Sequence, residues 1–220
     1  MKTSVIAAFL LVTAVLHFRP PSAAALLDPY SASFVASPTA TEDTEFIRNS
    51  CQTTMYPQLC YASLSGYASA VQQDTGRLAR VAIGVSLKKA KRMAAYVNNL
   101  SRQADYGADH RAAAALHDCF STLGDSVDQM RDSLQQMKQL GSGAGAGASS
   151  SAEELRFQLS NVQTWMSAAE TNEDTCVDGF DDVAEGPLKS DVYDGIVKVK
   201  QVTSNALALV NAFANKIAIP

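Results

Sequence analysis

The sequence predicts an all-α protein: an up-down-up-down four-helix bundle carrying an N-terminal helical hairpin. Three observations lead there. Four segments carry apolar residues that step by three and four, none of them alternates with the period of two that a strand needs, and a glycine-rich stretch separates the second from the third and Gly-Pro the third from the fourth.

Residues 1–25 read as a secretory signal peptide. Lys2 supplies a positive start, Ser4 to Leu16 is an apolar run too short to span a bilayer, and S-A-A-A at Ser22 to Ala25 offers a small-x-small cleavage site. Pro20 and Pro21 directly after the run argue against a buried helix. Later apolar runs are too short to span a membrane, so the mature chain is expected to be soluble and secreted. Losing Lys2 and Arg19 and no acid moves the net charge from −4 to −6. That balance argues against a general nucleic-acid binder. The basic cluster K-K-A-K-R, Lys88 to Arg92, falls inside a helical pattern and reads as a solvated face that an anionic wall polymer could touch.

Leu26 to Thr44 is a low-complexity leader of Ala, Ser, Thr and Pro, expected to be disordered or loosely attached. The folded domain is expected over residues 45–217, with the hairpin over 45–72 and the bundle over 75–217. Four cysteines in an exported chain imply two disulfides, with three pairings open. On one straight helix Cys51 and Cys60 would lie roughly 180° apart, so a bond between them needs a turn at Met55-Tyr56-Pro57. Cys119 and Cys176 each fall in a long helical pattern. The economical pairing therefore joins Cys51 to Cys60 within the hairpin and Cys119 to Cys176 between two helices. Metal binding is the competitor, and an oxidising compartment disfavours it.

The first apolar stripe is Ile83, Leu87, Ala90, Ala94 and Val97. The second runs Leu116, Phe120, Leu123, Val127, Met130, Leu134 and Met137. The third runs Leu155, Leu159, Val162, Met166 and Ala169, meets Glu173 as its single polar interruption, and continues to Cys176 and Phe180; Trp165, beside Met166, is read as core. The fourth runs Val192, Ile196, Val199, Thr203, Ala206, Val210, Phe213 and Ile217. Such spacing keeps one narrow seam against partner helices over several turns. Between the second and third stripes, Gly141 to Ser151 (G-S-G-A-G-A-G-A-S-S-S) cannot hold a helix and is a flexible loop, from which Ser151 can cap the next helix with Glu154 three residues on. Gly186-Pro187 separates the third helix from the fourth.

Several stretches carry a resemblance: C-Q-T-T-M-Y-P-Q-L-C-Y-A-S-L (Cys51 to Leu64), A-L-H-D-C (Ala115 to Cys119), V-Q-T-W-M-S-A-A-E-T-N-E-D-T-C-V-D-G-F (Val162 to Phe180) and T-S-N-A-L-A-L (Thr203 to Leu209). Together they are similar to the plant invertase and pectin methylesterase inhibitor family, over about residues 45 to 217. The resemblance implies a four-helix bundle with an N-terminal helical hairpin and the same disulfide pairing. It also implies a protein that blocks an enzyme and is not one itself, with no cofactor. Invertase inhibitors often carry Pro-Lys-Phe near the end; here the stretch reads G-P-L-K-S-D-V-Y, Gly186 to Tyr193. The closer resemblance is to the branch that blocks the substrate cleft of pectin methylesterase in the apoplast or cell wall, limiting demethylation of homogalacturonan. The alternatives are an inhibitor of acid invertase and, in another class, a helical bundle that carries a small ligand or builds the wall.

The residues themselves agree that no catalytic centre is marked. His110 and His117 stand seven residues apart without a nucleophile and carboxylate converging on them. They read as decoration of one helix face.

Two polar stripes remain. Thr171, Thr175, Asp178 and Asp182 step by 4, 3 and 4 on the third helix, and Ser121, Asp125, Asp128 and Asp132 make the equivalent stripe on the second. A Cys119–Cys176 bond would hold both at the same level, as an anchored outer surface. The resemblance implies that partner contacts come from acidic residues after the third cysteine, the Thr before the fourth and an Asp after it. These fall on Asp125, Asp128, Thr175 and Asp178. An acidic residue often found two positions past the third cysteine is Ser121 here. Finally, Asn99-Leu100-Ser101 is an acceptor sequon for N-glycosylation at the end of the first long helix.

Overall fold

A computed structural model of the protein describes residues 38–104, 109–141 and 152–218. The expected signal peptide, the leader up to residue 37 and the loop from residue 142 to Ser151 lie outside the described residues. All regular structure among the described residues is helical.

Helix α1 (Pro38–Cys51) begins seven residues before the folded domain was expected to start, so residues 38–44 are helix and not leader. Ile47, fully buried, seats α1 on the core. Once that turn is packed, each preceding residue adds a hydrogen bond that offsets its own backbone entropy with no new nucleation cost, which lets the helix extend back through the Thr-containing stretch P-T-A-T-E-D-T. The chain then turns through residues 52–56, where buried Thr54 donates its hydroxyl to the Cys51 carbonyl at 2.8 Å. Pro57 opens α2 (Pro57–Leu64) at a position whose N–H has no helical partner. The Cys51–Cys60 disulfide closes this hairpin with Cα atoms 5.6 Å apart. The Arg48 guanidinium lies 4.1 Å from the Tyr61 ring centre, tying α1 to α2 a second time.

A 3₁₀ turn (Ser65–Tyr67) and the single turn α3 (Ala68–Val71) lead to Gln72 and Gln73, both left-handed at φ 50° and 57°. Asp74 then caps α4 (Thr75–Ala104), its carboxylate accepting the Arg77 N–H at 2.6 Å. Asp109 does the same for α5 (His110–Gly141), accepting the N–H groups of Arg111 and Ala112 at 3.0 and 3.1 Å. Helices α6 (Ala152–Asp178) and α7 (Pro187–Ala218) complete the set.

Each long helix packs on its neighbours in chain order and α7 returns to α4, giving the expected up-down-up-down ring with α4 diagonally across from α6. The hairpin leans on α7 and α4. Leu116, Leu123 and Met130 of α5, Leu159, Val162 and Met166 of α6, and Val192, Ile196 and Val210 of α7 fill the interior.

Two core expectations are corrected. Phe120 is 40% exposed, and the α5 seam passes through Cys119 instead. Neighbouring residues lie about 100° apart around a helix, so turning Cys119 inward to its partner swings Phe120 out. Trp165 is half-buried at the edge of α6 and not a core residue.

The interior also holds one polar layer. Glu173 of α6 is fully buried, and one carboxyl oxygen accepts the Ser126 hydroxyl of α5 at 3.1 Å and the Thr203 hydroxyl of α7 at 3.0 Å. The Ser86 hydroxyl of α4 lies 3.1 Å from the Ala82 carbonyl and 3.2 Å from that of Val202 on α7.

Candidate functional site: the outer face of α5 and α6

The register of α5 on α6 is set by three cross-links at successive levels. The Cys119–Cys176 disulfide brings Cα atoms to 4.2 Å, Ser126 meets Glu173 one level up, and the Asn172 amide donates to the Gln129 side chain at 3.1 Å. Apolar seams above and below leave the outer flanks of the two helices to polar residues.

Ser121, Asp125, Asp128 and Asp132 are exposed on α5, and Thr171, Thr175 and Asp178 on α6. All five residues expected to touch a partner, Ser121, Asp125, Asp128, Thr175 and Asp178, are therefore exposed on adjoining helices, with Asp128 more than two turns along α5 from the disulfide. Asp182 departs from its expected place. Helix α6 ends at Asp178, and the chain turns there so that Phe180 can be fully buried, which leaves Asp182 in the turn beyond the helix. Its new neighbours are Asp118 and Arg111 of α5, with which it lines a depression of about 470 Å³. Sequence reasoning passed over Asp118 and Arg111, because only the turn brings α6 residues to them.

The side chains differ in what they offer. The Thr175 hydroxyl donates to the Thr171 carbonyl at 3.0 Å, and the Thr171 hydroxyl to the Ser167 carbonyl at 3.1 Å, leaving lone pairs and methyl groups outward. Asp128 forms an exposed ion pair with Arg131 one turn on. Asp125 and Asp178 form no ion pair among the described residues. Such a face presents hydrogen-bond acceptors on a rigid, covalently pinned frame, which suits recognition of another macromolecule's donors.

Behind the face, burial raises the Glu173 carboxyl to about 8; the hydroxyls of Thr203 and Ser126 oppose the shift, and neighbouring Glu170 and Asp174 add to it. On the α6–α7 flank, Lys200 pairs with Asp174, which holds the lysine above its ordinary range. Partial burial raises Glu170 there against the pull of Ser204 and Lys200. These cross-helix partners needed the α6–α7 register, for which the sequence carries no covalent mark.

His110 and His117 are exposed on α5, and the His117 ring nitrogen Nδ1 lies 3.0 Å from the hydroxyl of buried Ser101 on α4. Asn99 is exposed on α4, five residues before its end. The basic cluster Lys88 to Arg92 is on the surface, apart from buried Ala90.

Comparison with known proteins adds to this geometry. The family model for plant invertase/pectin methylesterase inhibitors matches residues 45–209. The chain is 42% identical over 183 residues to pectinesterase inhibitor 9 of Arabidopsis thaliana, covering 82% of this chain and 86% of that protein. It is 39% identical to the 21 kDa protein of Daucus carota, covering 83% and 90%. A crystal structure of a mutant pectin methylesterase inhibitor from Arabidopsis superposes with a TM-score of 0.55 at 19% identity, over 73% of this chain and 92% of that one, and shares the fold. The match over residues 45–209 and the identity to these relatives agree with the helical ring: the chain belongs to the plant invertase/pectin methylesterase inhibitor family, a family of enzyme inhibitors.

Proposed function

We propose that the chain is a secreted inhibitor of pectin methylesterase in the apoplast, which lays the outer face of α5 and α6 over the enzyme's substrate cleft and limits demethylation of homogalacturonan. The observation that carries this reading is the pair of exposed polar stripes pinned to one level by Cys119–Cys176. Contacts held on stapled helices lose little conformational freedom on docking, so more of the contact energy appears as affinity. Ser121, Asp125, Asp128, Thr175 and Asp178 are the contact residues.

Relatives at about 40% identity bear the name pectinesterase inhibitor, and the Gly186 to Tyr193 stretch lacks the Pro-Lys-Phe of many invertase inhibitors. Secretion is supported by the signal-like first 25 residues and the two disulfides. No helix among the described residues is long and apolar enough to cross a membrane. The test is to assay the purified mature protein against pectin methylesterase and acid invertase side by side. Inhibition of the methylesterase is expected; inhibition of invertase alone would overturn the reading.

A further inference from the structure

Charge is segregated across the bundle. Helix α4 carries seven basic residues and no acidic one, whereas α6, diagonally opposite, carries six acidic residues and one basic. In a chain with a net charge of −4, α4 and α7 are the long helices in which cations outnumber acids. Among the described residues none of Lys88, Lys89, Lys91, Arg92 and Lys198 enters an ion pair. Asp191 and Asp194, exposed on α7, are the acids nearest to them along the helix and leave the group net positive.

Three of those cations rim a groove. Lys89, Arg92 and Tyr96 of α4 face Lys198 of α7 across a shallow trough of about 250 Å³, open to solvent and floored by Met93 and Gly195. Gly195 leaves room on the floor for Met93: a Cβ at residue 195 would lie 2.8 Å from the Met93 sulfur, and that flexible side chain would have to shift. Tyr96, 41% exposed, offers a flat apolar face beside the charges. Spaced cations with one aromatic face over an open trough suit an extended polyanion built of rings, and do not suit a compact ligand that needs enclosure. The face is turned away from α5 and α6.

We propose that the α4–α7 groove binds de-esterified homogalacturonan, a polymer of sugar rings each bearing a carboxylate. This rests on the reading of the chain as a pectin methylesterase inhibitor. Each methyl ester the enzyme hydrolyses leaves a carboxylate on the polymer, so the enzyme's product is the polyanion the groove accepts. With the enzyme face on α5 and α6 and the polymer face opposite, one inhibitor molecule holds both at once and collects where the enzyme has already acted.

The experiment measures binding of the full mature chain to unesterified polygalacturonate, to highly methyl-esterified pectin and to vesicles of anionic phospholipid, with methylesterase inhibition assayed in parallel. The expected result is at least tenfold tighter binding to polygalacturonate than to esterified pectin or vesicles, weakening steeply as salt rises from about 50 to about 200 mM. The triple variant Lys89→Glu/Arg92→Glu/Lys198→Glu loses that binding tenfold or more and inhibits as before. A control with the same net charge, Lys138→Glu/Arg156→Glu/Lys216→Glu, keeps it. Equal binding to both polymers, preference for vesicles, an equal loss in the control, or a triple variant that loses inhibition but keeps polymer binding would each overturn the proposal. A natural protein that binds polygalacturonate but fails to inhibit would remove the inhibitor reading alone.

Discussion

The side-chain amide of Asn205 holds both backbone polar groups of Tyr56: its oxygen accepts the Tyr56 N–H at 3.0 Å and its nitrogen donates to the Tyr56 carbonyl at 3.0 Å. Tyr56 sits in the hairpin turn between Cys51 and Cys60, and Asn205 is buried on α7, so this clamp fixes the turn of the hairpin to the bundle beside the apolar contacts of Ile47 and Leu64.

Removing the amide leaves both groups of Tyr56 without their partner in a partly buried place. Asn205→Ala is expected to cost about 2 to 3 kcal/mol. Thermal unfolding checks the magnitude, and limited proteolysis checks the site, since cleavage should appear first around residues 52–56. An unchanged melting temperature would show that the hairpin is held elsewhere.

Glu173 gives a pH dependence whose sign is determined. Its carboxyl is raised from 4.5 in the open chain to about 8 in the fold, chiefly because burial disfavours the charge. Between those values the folded state holds a proton that the unfolded state has released, so its contribution to stability is whole below about 4.5 and is lost as pH rises toward 8. Glu170 is also raised, and the Asp174–Lys200 pair lies on the same flank, so neither is to be altered in the comparison. Glu173→Gln keeps the shape and removes the proton. It should match the natural protein below about pH 4.5, exceed it in stability by a growing margin as pH rises toward 8, and flatten the profile between; a natural protein with a flat profile across this range would refute the assignment.

Much of this fold was legible from spacing alone, because a seam of Leu159, Val162, Met166, Ala169 and Cys176 admits one helical face and no strand. Steps of three and four leave a choice between adjacent positions, and for Phe120 against Cys119 only the disulfide decides it. The polar stripes were legible for a similar reason, since the cysteines supply the level of α5 on α6. Partners across unlinked helices were not: Glu173 could be seen to interrupt the seam, but Thr203 of α7 is its partner only in three dimensions. Helix α1 was hidden at its start because Ser, Thr and Pro dominate the leader, while the burial of Ile47 that makes the helix worthwhile is a tertiary fact.

The two disulfides should contribute unequally. Cys51–Cys60 closes a separation of 9 residues and Cys119–Cys176 one of 57. Loop-closure entropy places them at about 2.6 and about 4 kcal/mol. Replacing each pair with alanine and unfolding in denaturant measures the difference. The second pair should also lower inhibition more, because it sets the level of Thr175 and Asp178 against Ser121 and Asp125, and equal losses would show that Ser126–Glu173 and Gln129–Asn172 hold the register without it.

The last prediction separates the acidic residues of the proposed enzyme face from one another. Asp125 and Asp178 are exposed without an ion-pair partner among the described residues, whereas Asp128 is paired with Arg131 on its own helix. A partner's donor must displace or share that arginine before it gains the Asp128 carboxylate, and an exposed pair of this kind contributes about 0.2 to 1 kcal/mol. Asp125→Ala and Asp178→Ala are therefore expected to weaken inhibition by roughly 10- to 100-fold, the range for interface anchors, and Asp128→Ala by less. Arg131→Ala frees the Asp128 carboxylate and should strengthen inhibition slightly, an effect that disappears in the Asp128→Ala background. Thr175→Trp places bulk one residue from the disulfide, where the backbone cannot yield, and should abolish inhibition without lowering the melting temperature. The measurement is the inhibition constant against pectin methylesterase for each variant and for the Asp128/Arg131 double-mutant cycle. If Asp125→Ala, Asp178→Ala and Thr175→Trp all inhibit like the natural protein while remaining folded, the enzyme meets another face of the bundle.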